Sequence, residues 1–370
     1  MSAAKGRARS ILYICDFNAH GGTQTHLLHL LASLDRRRVR PSLAALTLHP
    51  GLSARLERLD VEVANLELTG FARPSTWRRA ASLAARASRG VDLIHGYLFS
   101  GNLMAAAVSG LSGVPCVTSV RNLDVTHSAA RRMASALAHR RARCVLFNSA
   151  RVRDETRTRE RIALSRTVVI PNGVPDVVDT ARGESGTPRA AGLMVLCVAS
   201  LRAKKDHETL LEAFQSARAA APDARLVLVG EGPLRAALQA SAGRRGLGDA
   251  VVFAGYQADV AAHLSRADVF VLASREEGMP NALLEAMSAR LPCLVTDVGG
   301  AAEVIQDGVE GYLVPPGRPD LMAERLGRLI ADPSLRRRMG EAARLKYETS
   351  FTLERMIGAY HDLYDAVLAG

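Results

Sequence analysis

Lysine is scarce in this chain. Only four of its 48 basic residues are lysine, and two of them, Lys204 and Lys205, stand together after an apolar run with Arg202 beside them. A compact ammonium in a chain that otherwise writes positive charge as arginine suits a phosphate oxygen. A solvated loop patch would read the same way. Complementary chemistry lies in EEGMPNALLEAMSA, residues 276–289. Gly278 lets the backbone bend, and Pro280 suits the first turn of a helix, where its missing N–H would be unpaired anyway. The free N–H groups of that turn, with the helix dipole, make an anion site. Glu277 in the loop and Glu285 in the helix flank it. Carboxylates repel a phosphate but accept hydrogen bonds from sugar hydroxyls. Amides for a diphosphate between acceptors for hydroxyls point to a nucleotide-sugar. Glu285 balancing the dipole and Glu277 as a solvated acid would leave the same letters.

Other candidates are weaker alone. Gly21 and Gly22 in HGGTQT follow a strand and open a helix, so backbone N–H groups there can approach an anion or a hydroxyl. Gly230–Glu231–Gly232–Pro233 repeats that pattern in the second half, and a plain tight turn would explain either. His95 ends the strand VDLIHGY, where an α/β protein places catalytic residues or, more plainly, a structural histidine. Arg121 and Asn122 end the next strand, and Asp297 ends another before Gly299–Gly300. No D-x-D, H-E-x-x-H, P-loop or G-x-S-x-G is present, so neither a metal site nor a nucleophile elbow is expected.

The elements that would carry these residues alternate. SILYICDF, LAALTL, VEVANLEL, VDLIHGY, VPCVTSV, CVLFNS and TVVIPN read as strands, with a helix over 23–34. Turn-rich sequence from Pro171 to Pro188 reads as a linker. The rhythm restarts with LMVLCVAS, RLVLVG, VVFAGY, VFVLAS, CLVTDV and GYLVPP. Helices are expected over 207–220, 233–245, 281–289, 320–331, from Asp332–Pro333 to about 347, and 353–368. Runs buried on both faces, separated by helices, predict two doubly wound parallel α/β domains, 1–175 and 189–350, followed by a terminal helix, 351–370. Two such domains would enclose a cleft at the carboxyl ends of their strands.

A chain of 370 residues is long enough for two cores. Nearly half of it is hydrophobic, yet the apolar runs read as broken by charges, so no membrane span is expected. The N-terminus lacks the apolar centre of a signal peptide. Five isolated cysteines read as reduced core residues, consistent with a cytoplasmic protein. The net charge of +11 is unevenly shared: residues 1–175 hold 26 Lys and Arg against 11 acids, +15, and the remainder 22 against 26, −4. That asymmetry suggests an acidic partner. Few aromatics and no recognition motif accompany it, which argues against nucleic acid and for an anionic membrane surface. Arg36–Arg38, Arg131–Arg132, Arg140–Arg143 and Arg151–Arg161 are the clusters that would meet it, or a solvated arginine-rich face.

In order along nearly the whole chain, several pieces match one family. They are the glycine pair at 21–22, Asp92-x-x-His95, Asn148–Ser149, IPNGV at 170–174, Lys205, GEGP at 230 and EGMPNALLEA at 277, with Glu277 and Glu285 eight apart. With these the chain resembles the family 4 retaining glycosyltransferases. The resemblance implies a GT-B fold, two Rossmann-like domains facing across a cleft, with the last helix crossing back to the first. It implies that Lys205 and a nearby arginine hold the donor diphosphate, Glu285 the ribose hydroxyls, and Glu277 the transferred sugar. The loop of Gly278, Met279, Pro280, Asn281 and Ala282 would touch sugar and phosphate. Two positions depart from the family. Ser200 stands where an arginine is common, so Arg202 takes that role. Arg121 stands where many members have a histidine near the reacting sugar; either His95 replaces it or none is needed.

The expected activity is metal-independent, retaining transfer of a sugar from a UDP- or GDP-sugar to a hydroxyl of a lipid-linked or glycan acceptor, at the inner face of the cytoplasmic membrane. A nucleotide-sugar epimerase of the same architecture would need an acid/base pair of carboxylates, which is not identifiable. Against a non-catalytic sugar-nucleotide-binding partner subunit with a decayed site stand the intact Glu277, Lys205 and Glu285; the missing arginine and histidine argue mildly for it.

Overall fold

The computed structural model describes residues 7–18, 21–68, 70–122, 128–177 and 192–369. The chain forms two compact units, Met1–Asn172 with Leu353–Gly370, and Gly173–Thr352. Most of the expected linker, residues 178–188, lies outside the described residues.

The first unit is built on seven strands: β1 Arg9–Phe17, β2 Val39–Leu48, β3 Glu62–Asn65, β4 Leu93–Tyr97, β5 Cys116–Val120, β6 Cys144–Phe147 and β7 Thr167–Val169. They run in the order β3-β2-β1-β4-β5-β6-β7, all parallel. Alternate residues of β1 feed cores on opposite faces. Ile11, Tyr13, Cys15 and Phe17 meet the helix Gly22–Ser33 and the last helix, Leu353–Ala369. Leu12 and Ile14 meet the helices Pro74–Ala87 and Leu98–Ser112. Burial on both faces explains why these strands read as continuous apolar runs.

The second unit holds β8 Met194–Val198, β9 Arg225–Val229, β10 Val251–Gly255, β11 Val269–Leu272, β12 Cys293–Thr296 and β13 Gly311–Val314. Their order is β10-β9-β8-β11-β12-β13, again all parallel. One apolar core joins them to the helices His207–Arg218, Asn281–Ser288 and Pro319–Ala331. Asp332 caps the helix Pro333–Ser350, its carboxylate accepting the Leu335 N–H at 2.9 Å.

Three readings change. Residues 93–120 contain no charged side chain, contrary to the expectation of regularly broken runs. They fold as strand, helix and strand, and no helix of the described residues is long and apolar enough to cross a membrane. The strand expected over 61–68 pairs regularly only over Glu62–Asn65, beyond which the N–H groups of Leu66 and Leu68 reach the carbonyls of Ala45 and Leu46. β2 begins at Val39, four residues before its apolar run, because β1 starts at Arg9 and offers pairing partners there. All five cysteines are buried and unpaired.

Candidate active site

In the second sheet β8 and β11 are neighbours, Val269 pairing with Val195 and Phe270 with Leu196. Strands β9 and β10 lie to one side and β12 and β13 to the other, so the strand order reverses between them. An open α/β sheet leaves its binding crevice at such a point, outside the carboxyl ends of the strands. The loop after β8 carries Arg202 to Lys205; the loop after β11 carries Ser274 to Pro280.

Lys205 Nζ pairs with Glu277 Oε1 across these loops, the side chains 16% and 10% exposed. The same oxygen accepts Ser274 Oγ–H at 2.7 Å, and Thr296 Oγ1–H holds the Ser274 carbonyl at 2.6 Å. Two further bonds join the loops: Arg275 N–H to the Lys204 carbonyl at 2.8 Å, and Arg275 Nε–H to Asp206 Oδ2 at 2.8 Å. Thr209 Oγ1–H donates to that Asp206 oxygen at 2.8 Å. The pair is largely buried and Ser274 braces its carboxylate, so loss of either partner strands a charge.

The backbone under Glu277 has no spare room. Gly299 has φ +53°, and a Cβ there would collide with the Glu277 carbonyl oxygen. The next N–H, of Gly300, donates to the Gly278 carbonyl at 2.6 Å. Gly230 and Gly232 do similar work one loop away. Side chains on them would strike the carbonyls of Ala199 and Leu201, and the Leu201 N–H donates to Glu231 O at 2.9 Å. These two glycines therefore pack the β9 loop against the stem of the Lys205 loop.

Pro280 occupies the cap position before the helix Asn281–Ser288 rather than its first turn, and no side chain caps that helix. Met279 and Asn281 are buried, and Ala282 is half-buried. Glu285 lies one turn inside the helix. Burial first, and the Asp259 charge second, push its carboxyl up to about 7. Arg202 is exposed, and the bonds that anchor it are backbone ones, its N–H to Ser200 O at 2.8 Å and its carbonyl from Lys205 N–H at 2.9 Å.

In the first unit Gly21 precedes the helix Gly22–Ser33, whose N-terminus also lacks a side-chain cap. His95 requires correction. It has no exposed surface; its Nδ1 bonds the Tyr364 hydroxyl at 2.9 Å and its Nε2 the Ser119 hydroxyl at 2.7 Å. Burial holds it neutral, its pKa lowered to about 3. Both ring nitrogens serve the core, so the geometry gives His95 a packing role beneath the last helix instead of a catalytic one.

Sequence reasoning passed over Ser274, Thr296, Asp206 and Arg275, which hold the pair in place. Ser274 closes the apolar run of β11 and reads there as strand. The other three give no signal that foretells their partners.

The profile described as Glycosyltransferase Family 4 matches residues 20–177, and that of Glycosyl transferases group 1 matches residues 185–346. The chain is 32% identical over 237 residues to alpha-D-kanosaminyltransferase of Streptomyces kanamyceticus, covering 60% of this chain and 61% of that protein. It is 38% identical over 146 residues to N-acetyl-alpha-D-glucosaminyl L-malate synthase of Bacillus anthracis, covering 40% and 38%. These alignments thus span less than two thirds of either relative. Among solved structures, Anabaena HepE in complex with UDP-glucose superposes with a TM-score of 0.83 at 20% identity, over 96% of this chain and 99% of that one. Sucrose-phosphate synthase from Thermosynechococcus elongatus gives 0.79 at 21%, over 98% and 99%. Two consecutive family matches fall on the two units, and the fold is shared almost end to end. The chain belongs to the family 4, group 1 glycosyltransferases of the GT-B fold.

Proposed function

We propose that this chain transfers a sugar from a nucleotide-diphosphate-sugar to a hydroxyl of a glycan or lipid-linked acceptor, with retention of configuration and without a metal. The observation that carries this reading is the Lys205–Glu277 pair at the point where the second sheet reverses its order. An ammonium has three N–H donors, and Glu277 takes one. The others are available to diphosphate oxygens, with Arg202 as the exposed second cation. Charge growing on the departing diphosphate is offset by these cations and by the uncapped Asn281–Ser288 helix. Glu277, fixed by Lys205 and Ser274, accepts from hydroxyls of the transferred sugar. Glu285, close to its own neutral form, gains donors when ribose hydroxyls reach it. The bond from the anomeric carbon to the diphosphate oxygen then breaks, the acceptor hydroxyl oxygen bonds to that carbon on the same face, and the hydroxyl proton passes to the departing diphosphate.

The donor is a UDP- or GDP-sugar. HepE was solved with UDP-glucose, and a Mycolicibacterium smegmatis relative, 34% identical over 160 residues, is named as a GDP-mannose-dependent phosphatidylinositol monomannoside mannosyltransferase. An O-antigen chain mannosyltransferase of Escherichia coli, 32% identical over 211 residues, favours a cell-surface glycan. The acceptor side works at the inner face of the cytoplasmic membrane.

The structure narrows which arginines could meet such a surface. Arg36 is consumed by the carbonyls of Leu31 and Leu59, Arg37 by Asp35 and Arg38 by Asp365. Arg151, Arg153 and Arg157 pair with Glu155 and Asp154. The helix Ala129–Arg141 exposes Met133 and Leu137, 64% and 58%, one turn apart, beside Arg131 stacked on Phe99, Arg132, Arg140, and Arg141 bonded to the Ser109 carbonyl. Apolar residues flanked by arginines suit an anionic lipid interface.

Incubation with a panel of nucleotide-sugars tests the transferase reading. One donor should release free nucleotide, with sugar on an added acceptor in the donor's own anomeric form. Inverted product would remove retention, a donor returned as its epimer would favour the epimerase, and no release from any donor would leave a binding subunit.

A further inference from the structure

The donor-side reading leaves one charge in the first unit unexplained. Arg121 follows β5 directly, at the carboxyl end of the strand, and is only 4% exposed. Its Nη2 donates to Asn172 Oδ1 and the Tyr360 hydroxyl lies within its reach, while Nε and Nη1 are buried without a well-formed hydrogen bond and, among the described residues, no carboxylate faces them. The titratable groups within its field are neutral: Cys15, Tyr97 and Tyr360 keep their protons, and His26 and His95 are held uncharged by burial and by Arg121 itself. The acid at the end of β1, Asp16, accepts from Thr47 and Asn18 instead. An ionised guanidinium taken out of water without a counter-charge is costly, and the cost is tolerated where a ligand brings the missing charge.

Two neighbours share the same sign or the same need. The first sheet reverses its order between β1 and β4, so its crevice opens at the carboxyl ends of these strands. The Gly22–Ser33 helix starts there uncapped behind Gly21, and Arg121 acts on His26 in that helix's second turn. At the end of β6 Asn148 donates to the Arg121 carbonyl at 3.3 Å, and its own Oδ1 is buried without a donor. An oxyanion would meet the guanidinium, and a hydroxyl beside it the amide oxygen.

We propose that Arg121 is the anion-recognition residue of the first unit, binding a phosphate or carboxylate carried by the acceptor, with Asn148 accepting from an adjacent hydroxyl. The inference rests on the transferase reading for the word acceptor. The site itself can be tested without turnover, so the two can fail separately.

The same oxyanion chemistry could be met by the donor's diphosphate, and the test separates the sources. Inorganic phosphate is titrated into the full chain carrying Lys205→Ala, which removes the second unit's phosphate contact, and melting is followed. Phosphate should raise the melting temperature of that variant. Adding Arg121→Met should abolish the rise, weakening phosphate by about tenfold or more for a lost charged bidentate partner. Because a buried unpaired charge disappears, Arg121→Met alone should melt no lower than the parent in phosphate-free buffer. It should bind UDP and GDP as the parent does. No phosphate effect in the Lys205→Ala chain, or an effect surviving Arg121→Met, would overturn the proposal. A variant melting well below the parent would mark the guanidinium as structural. Weakened nucleotide binding would assign the anion to the donor.

Discussion

Lys205 and Glu277 lie 72 positions apart and share one bond, so each is the reason the other can be kept from water. Lys205→Ala should cost roughly 2–4 kcal/mol of transition-state stabilisation, read as a fall in kcat/KM. Turnover within a few-fold of the parent would remove the lysine from the mechanism. The two glutamates should separate in calorimetry. Glu285→Ala should weaken the nucleoside diphosphate by about 1–3 kcal/mol, while Glu277→Ala should spare nucleotide affinity and depress turnover. Glu285 also has a pH signature. Its folded pKa is raised from 4.5 to about 7, so the native chain holds this proton longer than the unfolded one. The stability it contributes is complete below pH 4.5 and is lost as pH rises to 7. Glu285→Gln should therefore match the parent near pH 4.5 and exceed it by about 1–3 kcal/mol at pH 8 in denaturant melts. Equal stability at pH 8 would show a solvated carboxyl. These charges were legible because lysine is rare and because two carboxylates flank a helix start. Ser274 and Asp206 were not, since a side chain that holds another from a distant loop leaves no local pattern.

Among the elements, the last helix shows how a tertiary partner overrides a local reading. Tyr360 and Tyr364 on it meet Tyr13, His26, His95 and Tyr97 through a chain of hydroxyl and imidazole bonds: Tyr13–Tyr364 at 2.9 Å, His26–Tyr360 at 3.0 Å and Tyr97–Tyr360 at 3.2 Å. His95 looked catalytic because it ends a strand, and nothing within its own segment reveals two tyrosines from the far end of the chain. Tyr364→Phe leaves His95 Nδ1 and the Tyr13 hydroxyl without their partner. It should cost about 1–3 kcal/mol in denaturant unfolding with nucleotide binding unchanged. A stability change under about 0.5 kcal/mol would show that water or neighbours replace the bond. The strands themselves were readable, since runs such as VFVLAS are buried on both faces. Their ends were less so: β2 begins four residues early because pairing to β1, not hydrophobicity, decides where it starts.

At the scale of the whole molecule the charge is lopsided, +15 over residues 1–175 against −4 over the rest. Much of that arginine is spent on carbonyl groups and neighbouring acids, as Arg36 and Arg153 show. At an anionic surface the arginines of the helix Ala129–Arg141 would contribute about 1 kcal/mol per residue, fading within a Debye length. Vesicles containing anionic lipid should bind the chain at low salt and release it as salt rises. Leu137→Asp should weaken that binding without altering nucleotide affinity. Equal binding to neutral vesicles would leave the arginines as solvated surface.

The return of residues 353–369 to the first unit has a consequence for how the protein is made. A ribosome emits the second unit as one uninterrupted piece, whose core residues, among those described, run from Val174 to Phe351. The first unit emerges earlier yet finishes later, because Met356, Ile357, Tyr360, Leu363 and Tyr364 complete its core. Until residues 353–369 emerge, Tyr13, His26 and Tyr97 lack the hydroxyl partners that Tyr360 and Tyr364 bring, and His95 keeps only its bond to Ser119. The N-terminal half of this chain is thus the half that depends on residues 353–369, and a nascent chain stalled near residue 350 carries one finished unit and one open one.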